Sequence, residues 1–165
     1  MELSESHDYD ASIDTVLAMF ANRDAITERY TSMGHRNITI TECDLNASQL
    51  RITSSRVVDV ELPSFAKKVL KPTNTMVQTD VWEHDGQAWK GTFNVEVQGA
   101  PVKISGTMRL VPNGEGCTHT VAIRVDVKIP IVGGKIADWI GKNDARRTLT
   151  EEFAAADRWL KTANS

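Results

Sequence analysis

The chain has 165 residues, of which 41% are hydrophobic and 25% are charged, a composition typical of a globular protein with a sizeable core. This length predicts a single domain that spans residues 1–165. The 19 basic and 22 acidic residues give a net charge of -3 without long runs of one sign, so we expect no nucleic-acid partner.

No stretch approaches the roughly 20 consecutive apolar residues of a membrane-spanning helix, so we expect no stable membrane insertion. The first residues lack the basic and hydrophobic segments of a secretory signal, and we therefore expect a cytoplasmic protein. Cys43 and Cys117 lie outside any CxxC spacing, and the chain carries no phosphate-binding loop, HExxH motif or nucleophile elbow. We therefore expect no metal, no cofactor and no catalytic residue.

The first elements are a strand and two short helices. Leu3–Tyr9 has the length of a strand but is polar, which suits the edge of a sheet. Ser12 is a predicted N-cap for a helix of about nine residues. Asn22 then caps a second helix, and Gly34 is the natural left-handed residue at its end.

Alternating apolar residues between Asn37 and Pro130 predict a run of antiparallel strands. The segments at residues 38–40 and 50–61 are interrupted by polar residues and are predicted to be outer strands. Three later strands carry apolar residues on one face, which predicts a sheet with one buried and one solvated face. These residues are Trp89, Phe93, Val95 and Val97, then Val102, Ile104, Met108 and Leu110, and then Val121, Ile123, Val125, Val127 and Ile129.

The hairpin around His84-Asp85-Gly86 allows two strand registers. A three-residue loop, which the apolar pattern favours, aligns Val77, Thr79 and Val81 with Phe93, Gly91 and Trp89. A two-residue loop would instead point Gln78, Asp80 and Trp82 inward, because a slip of one residue reverses every side chain. In that register Gln78 and Asp80 become candidates for a pocket.

The segment Ser64–Leu70 is too apolar for a simple turn and pairs Phe65 with Val69 at helical spacing. One interpretation is a flexible flap over the mouth of a cavity. The other is a connector that is pinned by its own hydrophobic residues.

The last element is a helix of roughly 25 residues after Gly134, long enough to cross the sheet, with a soft spot at Gly141. The complete order predicts an α+β fold. In this fold a curved antiparallel sheet of about seven strands wraps around one long C-terminal helix, and two short helices follow the first strand. Such a sheet and helix often enclose a cavity, and cavities bind apolar molecules.

The predicted ligand-binding residues point toward this cavity. Arg147 is the candidate anchor for a ligand headgroup, because a guanidinium binds carboxylates and phosphates through a rigid fork of donors. The alternative is that Arg146 and Arg147 face solvent and pair with Glu151 or Glu152. The other predicted lining residues are Trp89, Phe93, Met108, Ile123, Trp139 and Asn143.

The chain resembles the START-like, or SRPBCC, superfamily with its helix-grip fold, and more narrowly domain-of-unknown-function family 2505. The resemblance covers nearly the whole chain. It rests on Ser-His-Asp-Tyr-Asp-Ala at residues 6–11, on Val127–Ile136 and on Arg158-Trp159-Leu160. The superfamily implies a deep pocket for lipids, sterols, polyketides or other apolar metabolites, and it includes transport, binding, cyclase and hydrolase-like members.

Three functional hypotheses follow. The leading one is a carrier or sensor of a small hydrophobic molecule held between the sheet and the last helix. The second is an enzyme of the cyclase or hydrolase type that uses the same pocket, for which a buried titratable group in the cavity is the discriminating feature. The third is a protein-interaction module whose cavity is filled by side chains. The absence of catalytic motifs favours binding over catalysis.

Overall fold

Seven antiparallel strands form one curved sheet in the order β1-β7-β6-β5-β4-β3-β2, as predicted. The structure is a computed structural model, and it describes residues 1–163. The polar first strand lies at one edge and β2 at the other, with β3 beside it, which confirms the expected outer positions. The strands are β1 Glu2–Tyr9, β2 Arg36–Leu45, β3 Gln49–Asp59, β4 Thr73–Asp85, β5 Ala88–Val97, β6 Val102–Asn113 and β7 Gly116–Val127.

Two short helices follow β1, as the capping residues predict. Helix α1 spans Ile13–Phe20, and the Thr15 amide donates to Oγ of its N-cap Ser12 at 3.3 Å. Helix α2 spans Arg23–Ser32, and the Ala25 amide donates to Oδ1 of its N-cap Asn22 at 3.0 Å. Gly34 has a φ of +86°, the left-handed conformation expected after the end of this helix.

The C-terminal helix runs from residue 133 to residue 163 in three parts. These are α3 Gly133–Trp139, a π-helical turn Ile140–Ala145, and α4 Arg146–Ala163. The predicted soft spot at Gly141 lies inside the π-helical turn, where the side chain of Met1 packs so closely that a Cβ atom would lie 2.7 Å from Met1 Cε. Within residues 1–163, no helix combines the length and the apolar character that a membrane span requires.

The favoured register of the hairpin between β4 and β5 is wrong, and the two-residue alternative is correct. Asp85 pairs with Ala88, so the turn consists of residues 86 and 87, and Gly86 adopts a φ of +67°. Trp82 pairs with Gly91, and the missing side chain leaves room for the indole ring, which is only 2% exposed. Burial of this indole contributes to the stability of the observed register.

The segment between β3 and β4 is wound into helical turns rather than extended. The Lys67 amide donates to the Pro63 carbonyl at 3.2 Å, and the Leu70 amide donates to the Ala66 carbonyl at 2.9 Å. Ala66 is fully buried, and Nζ of Lys135 lies 4.2 Å from the centroid of the Phe65 ring. These contacts hold the segment against the start of α3. A movement as a flap stays a prediction.

Candidate functional site

A cavity of about 150 Å³ lies between the concave face of the sheet and helices α1, α2 and α4. Strand β1 and strands β3 to β7 contribute side chains from the concave face of the sheet, and α4 closes the other side. Most of its wall is apolar, with Trp82, Phe93, Met108, Ile123, Leu149 and Phe153 among the lining residues.

One side of the cavity is polar and is built around Arg56. This residue is only 4% exposed, and its Nη2 donates to Oε1 of Gln78 at 2.9 Å. The guanidinium carbon lies 4.2 Å from the centroid of the Tyr30 ring, a cation-π arrangement. Nε and Nη1 of Arg56 are buried without a hydrogen-bond partner, as is Nε of Arg29, which also lines the cavity. Buried donors are normally paired, so this end of the cavity has unused capacity to bind an acceptor.

Two carboxyl groups, Asp80 and Glu152, line the same cavity. Nε2 of Gln78 donates to Oδ1 of Asp80 at 2.9 Å. Burial raises the pKa of Asp80 above its ordinary 3.8 and that of Glu152 above its ordinary 4.5, although Arg56 and Arg29 act in the opposite direction. Within residues 1–163, neither carboxyl group lies within 4.0 Å of a guanidinium nitrogen. Four ionisable side chains therefore border one space without direct ion pairs.

His119 forms another part of the wall and is enclosed by aromatic rings. The centroids of Tyr9, Phe20, Trp82 and Phe153 lie between 5.5 and 6.0 Å from the centroid of the imidazole. The Tyr9 hydroxyl lies 3.4 Å from Nδ1 of His119. Burial lowers the pKa of His119 to about 3, so the ring is neutral at physiological pH.

The structure brings three of the predicted ligand-binding residues together at the cavity. Phe93, Met108 and Ile123 lie on adjacent strands, and all three line it. Trp89 is buried outside this lining, with its ring centroid 5.2 Å from that of His84. That Phe93, Met108, Ile123 and Trp89 contribute to ligand binding stays a prediction.

The predicted residues of the last helix lie elsewhere. Trp139 lines a second cavity of about 40 Å³, and Asn143 is exposed and donates to the Trp139 carbonyl at 3.1 Å. Arg147 is 56% exposed and pairs with Asp144 at 2.9 Å and Glu151 at 3.1 Å. The pairing with Glu151 is the alternative that the helical spacing allowed. The guanidiniums that line the cavity belong to Arg29 and Arg56 instead.

The π-helical turn changes which residues of the last helix after residue 145 face the cavity. A π-helix adds one residue to a turn, so that Ile140 and Ala145, five residues apart, are both buried. Every later residue is rotated relative to a regular α-helix. Thr148 and Glu152, which follow the turn, line the cavity, as does Asp144 within it.

Sequence reasoning also missed Arg56, although a signal for it exists. Ile52, Ser54 and Val58 are buried on β3 with Arg56 between them, so the alternation places the arginine on the buried face. The mixed polarity of this strand hid the pattern. Within residues 1–163, no group of three or more His, Cys, Asp or Glu side chains is arranged to hold a metal ion.

The family assignment rests on a match over almost the entire chain. The model of a family described as "Protein of unknown function (DUF2505)" matches residues 4–160. The chain belongs to the DUF2505 family. This confirms the resemblance drawn from the sequence. No protein of curated function matches this DUF2505 chain.

Solved structures show which fold the DUF2505 chain shares. TTHA0849 from Thermus thermophilus has a TM-score of 0.69 at 14% identity, with 100% of both chains covered. The Zhui aromatase/cyclase from a Streptomyces species has a TM-score of 0.65 at 12% identity, covering 100% of this chain and 96% of that one. A START superfamily protein from Mycobacterium smegmatis has a TM-score of 0.56 at 18% identity, with 98% of both chains covered. These similarities establish the START-like helix-grip fold.

Proposed function

We propose that this protein binds a small acidic molecule in the main cavity. Its apolar body packs against Phe93, Met108 and Ile123, and its carboxylate or similar oxygen group accepts hydrogen bonds from Arg56. The observation that carries the proposal is the pair of buried, unpartnered nitrogens of Arg56 beside an apolar cavity. A charge-assisted bond to a guanidinium is stronger than a bond between neutral groups, so an acid satisfies these donors best.

The cavity volume supports a ligand of about one ring. A cavity of about 150 Å³ is the size that accepts benzene in an apolar protein interior. Pockets for larger, drug-sized molecules occupy about 300–1,000 Å³. A substituted aromatic acid therefore fits this volume better than a sterol or a complete polyketide. The open volume also favours a ligand-binding protein over an interaction module with a filled cavity.

The charges around the cavity support an anionic ligand. The guanidiniums of Arg29 and Arg56 place two positive charges at this cavity. Asp80 and Glu152 can instead take up protons, because burial raises the pKa of both. A bound carboxylate adds a negative charge, which these residues accommodate by binding protons. We therefore expect proton uptake on binding.

Isothermal titration calorimetry with benzoate, benzyl alcohol and benzylamine tests the proposal. These probes share one ring and differ in charge. We expect benzoate to bind at least about tenfold more tightly than the other two, which is the value of one charge-assisted hydrogen bond. Equal affinities for all three probes would contradict the proposal.

Two substitutions on the same strand provide the matched control. Arg56→Gln removes the cavity guanidinium and should abolish the preference for benzoate, whereas Arg56→Lys should retain part of it. Arg51→Gln removes a guanidinium that is 48% exposed and paired with Glu42 at 3.0 Å, and it should leave binding unchanged. Circular dichroism shows whether each variant is folded. Native mass spectrometry followed by extraction identifies any acid that copurifies with the protein.

A second candidate function is an enzyme that transfers protons to or from a ligand in this cavity. The observation that favours it is the pair of carboxyl groups, Asp80 and Glu152, whose pKa burial moves toward the range useful for general acid–base catalysis. The structural similarity to an aromatase/cyclase makes ring-forming reactions the first to test. Asp80→Asn and Glu152→Gln should abolish turnover and retain benzoate binding. Unchanged turnover in both variants would exclude this candidate.

A further inference from the structure

Two loops at one end of the sheet carry an excess of positive charge. We define the basic loop surface as residues 63–72, which follow exposed Glu61 in the connection between β3 and β4, and residues 128–135, from the end of β7 into the first turn of α3. It contains five lysines and no acidic residue, whereas the whole chain carries -3, so the remainder carries -8. All five are exposed, and within residues 1–163 none forms an ion pair. The lysines are Lys67, Lys68, Lys71, Lys128 and Lys135.

The two loops form one continuous surface. Nζ of Lys135 lies 4.2 Å from the centroid of the Phe65 ring, which joins the second loop to the first. The Val60 amide donates to the Pro72 carbonyl at 2.7 Å and so closes the base of the first loop. These contacts fix the positive charges at one end of the molecule, although the chain as a whole is acidic.

Ile131 projects from this surface with nothing to cover it. Its relative exposure is 103%, and Val69 on the other loop is 40% exposed. Ile131 also has a φ of +72°, a conformation that is sterically unfavourable for a β-branched residue. A strained and fully exposed isoleucine gains no burial energy in the isolated chain. Strained backbone positions of this kind cluster at functional sites such as ligand clamps and switch regions.

We propose that the basic loop surface docks onto an anionic lipid membrane, with Ile131 and Val69 entering the interface and the lysines contacting the lipid headgroups. Lysines near an anionic leaflet attract it, and apolar side chains at the surface add to the affinity. A fluid interface accepts an isoleucine at a loop tip without a complementary pocket, whereas a folded acidic protein would have to provide one. The surface therefore fits lipid better than an acidic protein.

The basic loop surface lies next to the smaller of the two cavities. The small cavity of about 40 Å³ is lined by Leu70 and Lys71 of the first loop, and it shares Met76, Ile104 and Asp144 with the lining of the main cavity. Docking would place this end of the protein, with the small cavity beside the main one, at the membrane. The docking itself does not depend on the identity of the cavity ligand.

Cosedimentation with vesicles tests the proposal directly. The probes are vesicles of pure phosphatidylcholine and vesicles of equimolar phosphatidylcholine and phosphatidylglycerol. We expect binding to the anionic vesicles only, with an affinity that falls as salt is added, because salt screens exposed charges. Absence of binding to the anionic vesicles, or equal binding to both kinds, would overturn the proposal. The first of these results would leave an acidic protein as the alternative partner.

Matched variants separate this surface from general charge effects. Lys67→Gln with Lys68→Gln should weaken binding about 25-fold, since each lysine near an anionic surface contributes about fivefold. Ile131→Ser should weaken it about tenfold, and Ile131→Trp should restore it. The control Lys90→Gln with Val111→Ser changes an exposed lysine and a 38% exposed valine away from the two loops and should leave binding unchanged. Unchanged binding in either loop variant, or an equal loss in the control, would overturn the proposal.

Discussion

Asp80 pairs with Phe93 across β4 and β5, and both residues line the main cavity. Directly opposed side chains on one face of a sheet have Cβ atoms about 4.5–5.5 Å apart, so the carboxyl group lies beside the aromatic ring. Burial raises the pKa of Asp80 above its ordinary 3.8, although the hydrogen bond from Gln78 and the charge of Arg56 oppose this shift. An ionisable group thus lies beside the apolar part of the cavity wall.

The raised pKa of Asp80 predicts how its replacement changes stability with pH. The folded state holds this proton more tightly than the unfolded state, so the contribution of Asp80 to stability is largest at low pH. That contribution is lost as the pH rises from 3.8 through the folded-state value. The Asp80→Asn variant has no carboxyl group to titrate at this position. Its free energy of unfolding relative to the unmodified protein should therefore increase as the pH rises over this range. Urea unfolding at a series of pH values measures the difference.

Asp10→Asn, which changes an exposed aspartate, serves as the control for the loss of one carboxylate. If the pH profiles of the Asp80 and Asp10 variants were parallel, burial of Asp80 would have no effect on its titration. The prediction would then be wrong.

Gly106 lies opposite Phe93 on β6 and leaves room for its ring. A Cβ atom there would lie 2.8 Å from Phe93 Cε1 and would collide with the Ala122 carbonyl oxygen. We expect Gly106→Ala to destabilise the protein by about 1–3 kcal/mol, the usual cost of overpacking. It should also weaken benzoate binding, because the ring of Phe93, which lines the cavity, must shift. Chemical unfolding and calorimetry measure the two effects.

Gly134 provides the matched glycine control. A Cβ atom at Gly134 has no neighbour within 4 Å, and the residue lies in α3. Gly134→Ala should therefore be stabilising by about 0.5–1 kcal/mol, since glycine weakens helices. An equal loss of stability in both variants would contradict the steric explanation for Gly106.

The parts of the fold that could be predicted from the sequence depend on local rules. Ser12 and Asn22 cap their helices because a side-chain oxygen there accepts a free amide proton. One-sided apolar alternation defined β5, β6 and β7 because each is buried on a single face. In each case the signal lies within a few neighbouring residues of the sequence or in the regular alternation of apolar and polar residues along a strand.

The parts that could not be predicted depend on contacts between distant residues. The register of β4 is set by the fit of Trp82 over Gly91, which no local pattern of β4 indicates. Arg56 and Glu152 line the interior although charged side chains are rarely placed there, so a rule based on polarity assigns them to solvent. The extra residue of the π-helical turn changes the face of every residue after it. Polar residues of the candidate site were missed for these reasons.

His119 predicts a loss of stability in mild acid. Its pKa is lowered from 6.5 to about 3 in the folded protein, so the unfolded state binds the proton first as the pH falls. The contribution of His119 to the free energy of unfolding is fully present above pH 6.5. It decreases below that pH, by about 2 kcal/mol between neutral pH and about pH 5. His119→Phe keeps an aromatic ring among its aromatic neighbours and should remove this part of the acid sensitivity. Urea midpoints across this range check the difference.

The control for this experiment is His84→Phe, which replaces an exposed histidine. His35, whose pKa is lowered to about 4, is present in every variant, so its contribution cancels in the comparison. Equal acid sensitivity of His119→Phe and the unmodified protein would show that this imidazole is not the cause.

Ile131 predicts opposite effects on stability and on membrane docking. At a φ of +72° the Cβ atom costs about 1–2 kcal/mol, and glycine avoids that cost while losing somewhat more entropy on folding. Ile131→Gly should therefore raise the free energy of unfolding by about 0.5–1 kcal/mol, whereas Ile131→Ala keeps the Cβ atom and should change it little. Both variants should bind anionic vesicles more weakly. A glycine variant less stable than the alanine variant would show that the backbone at this position is unstrained, and docking would lose the argument from strain.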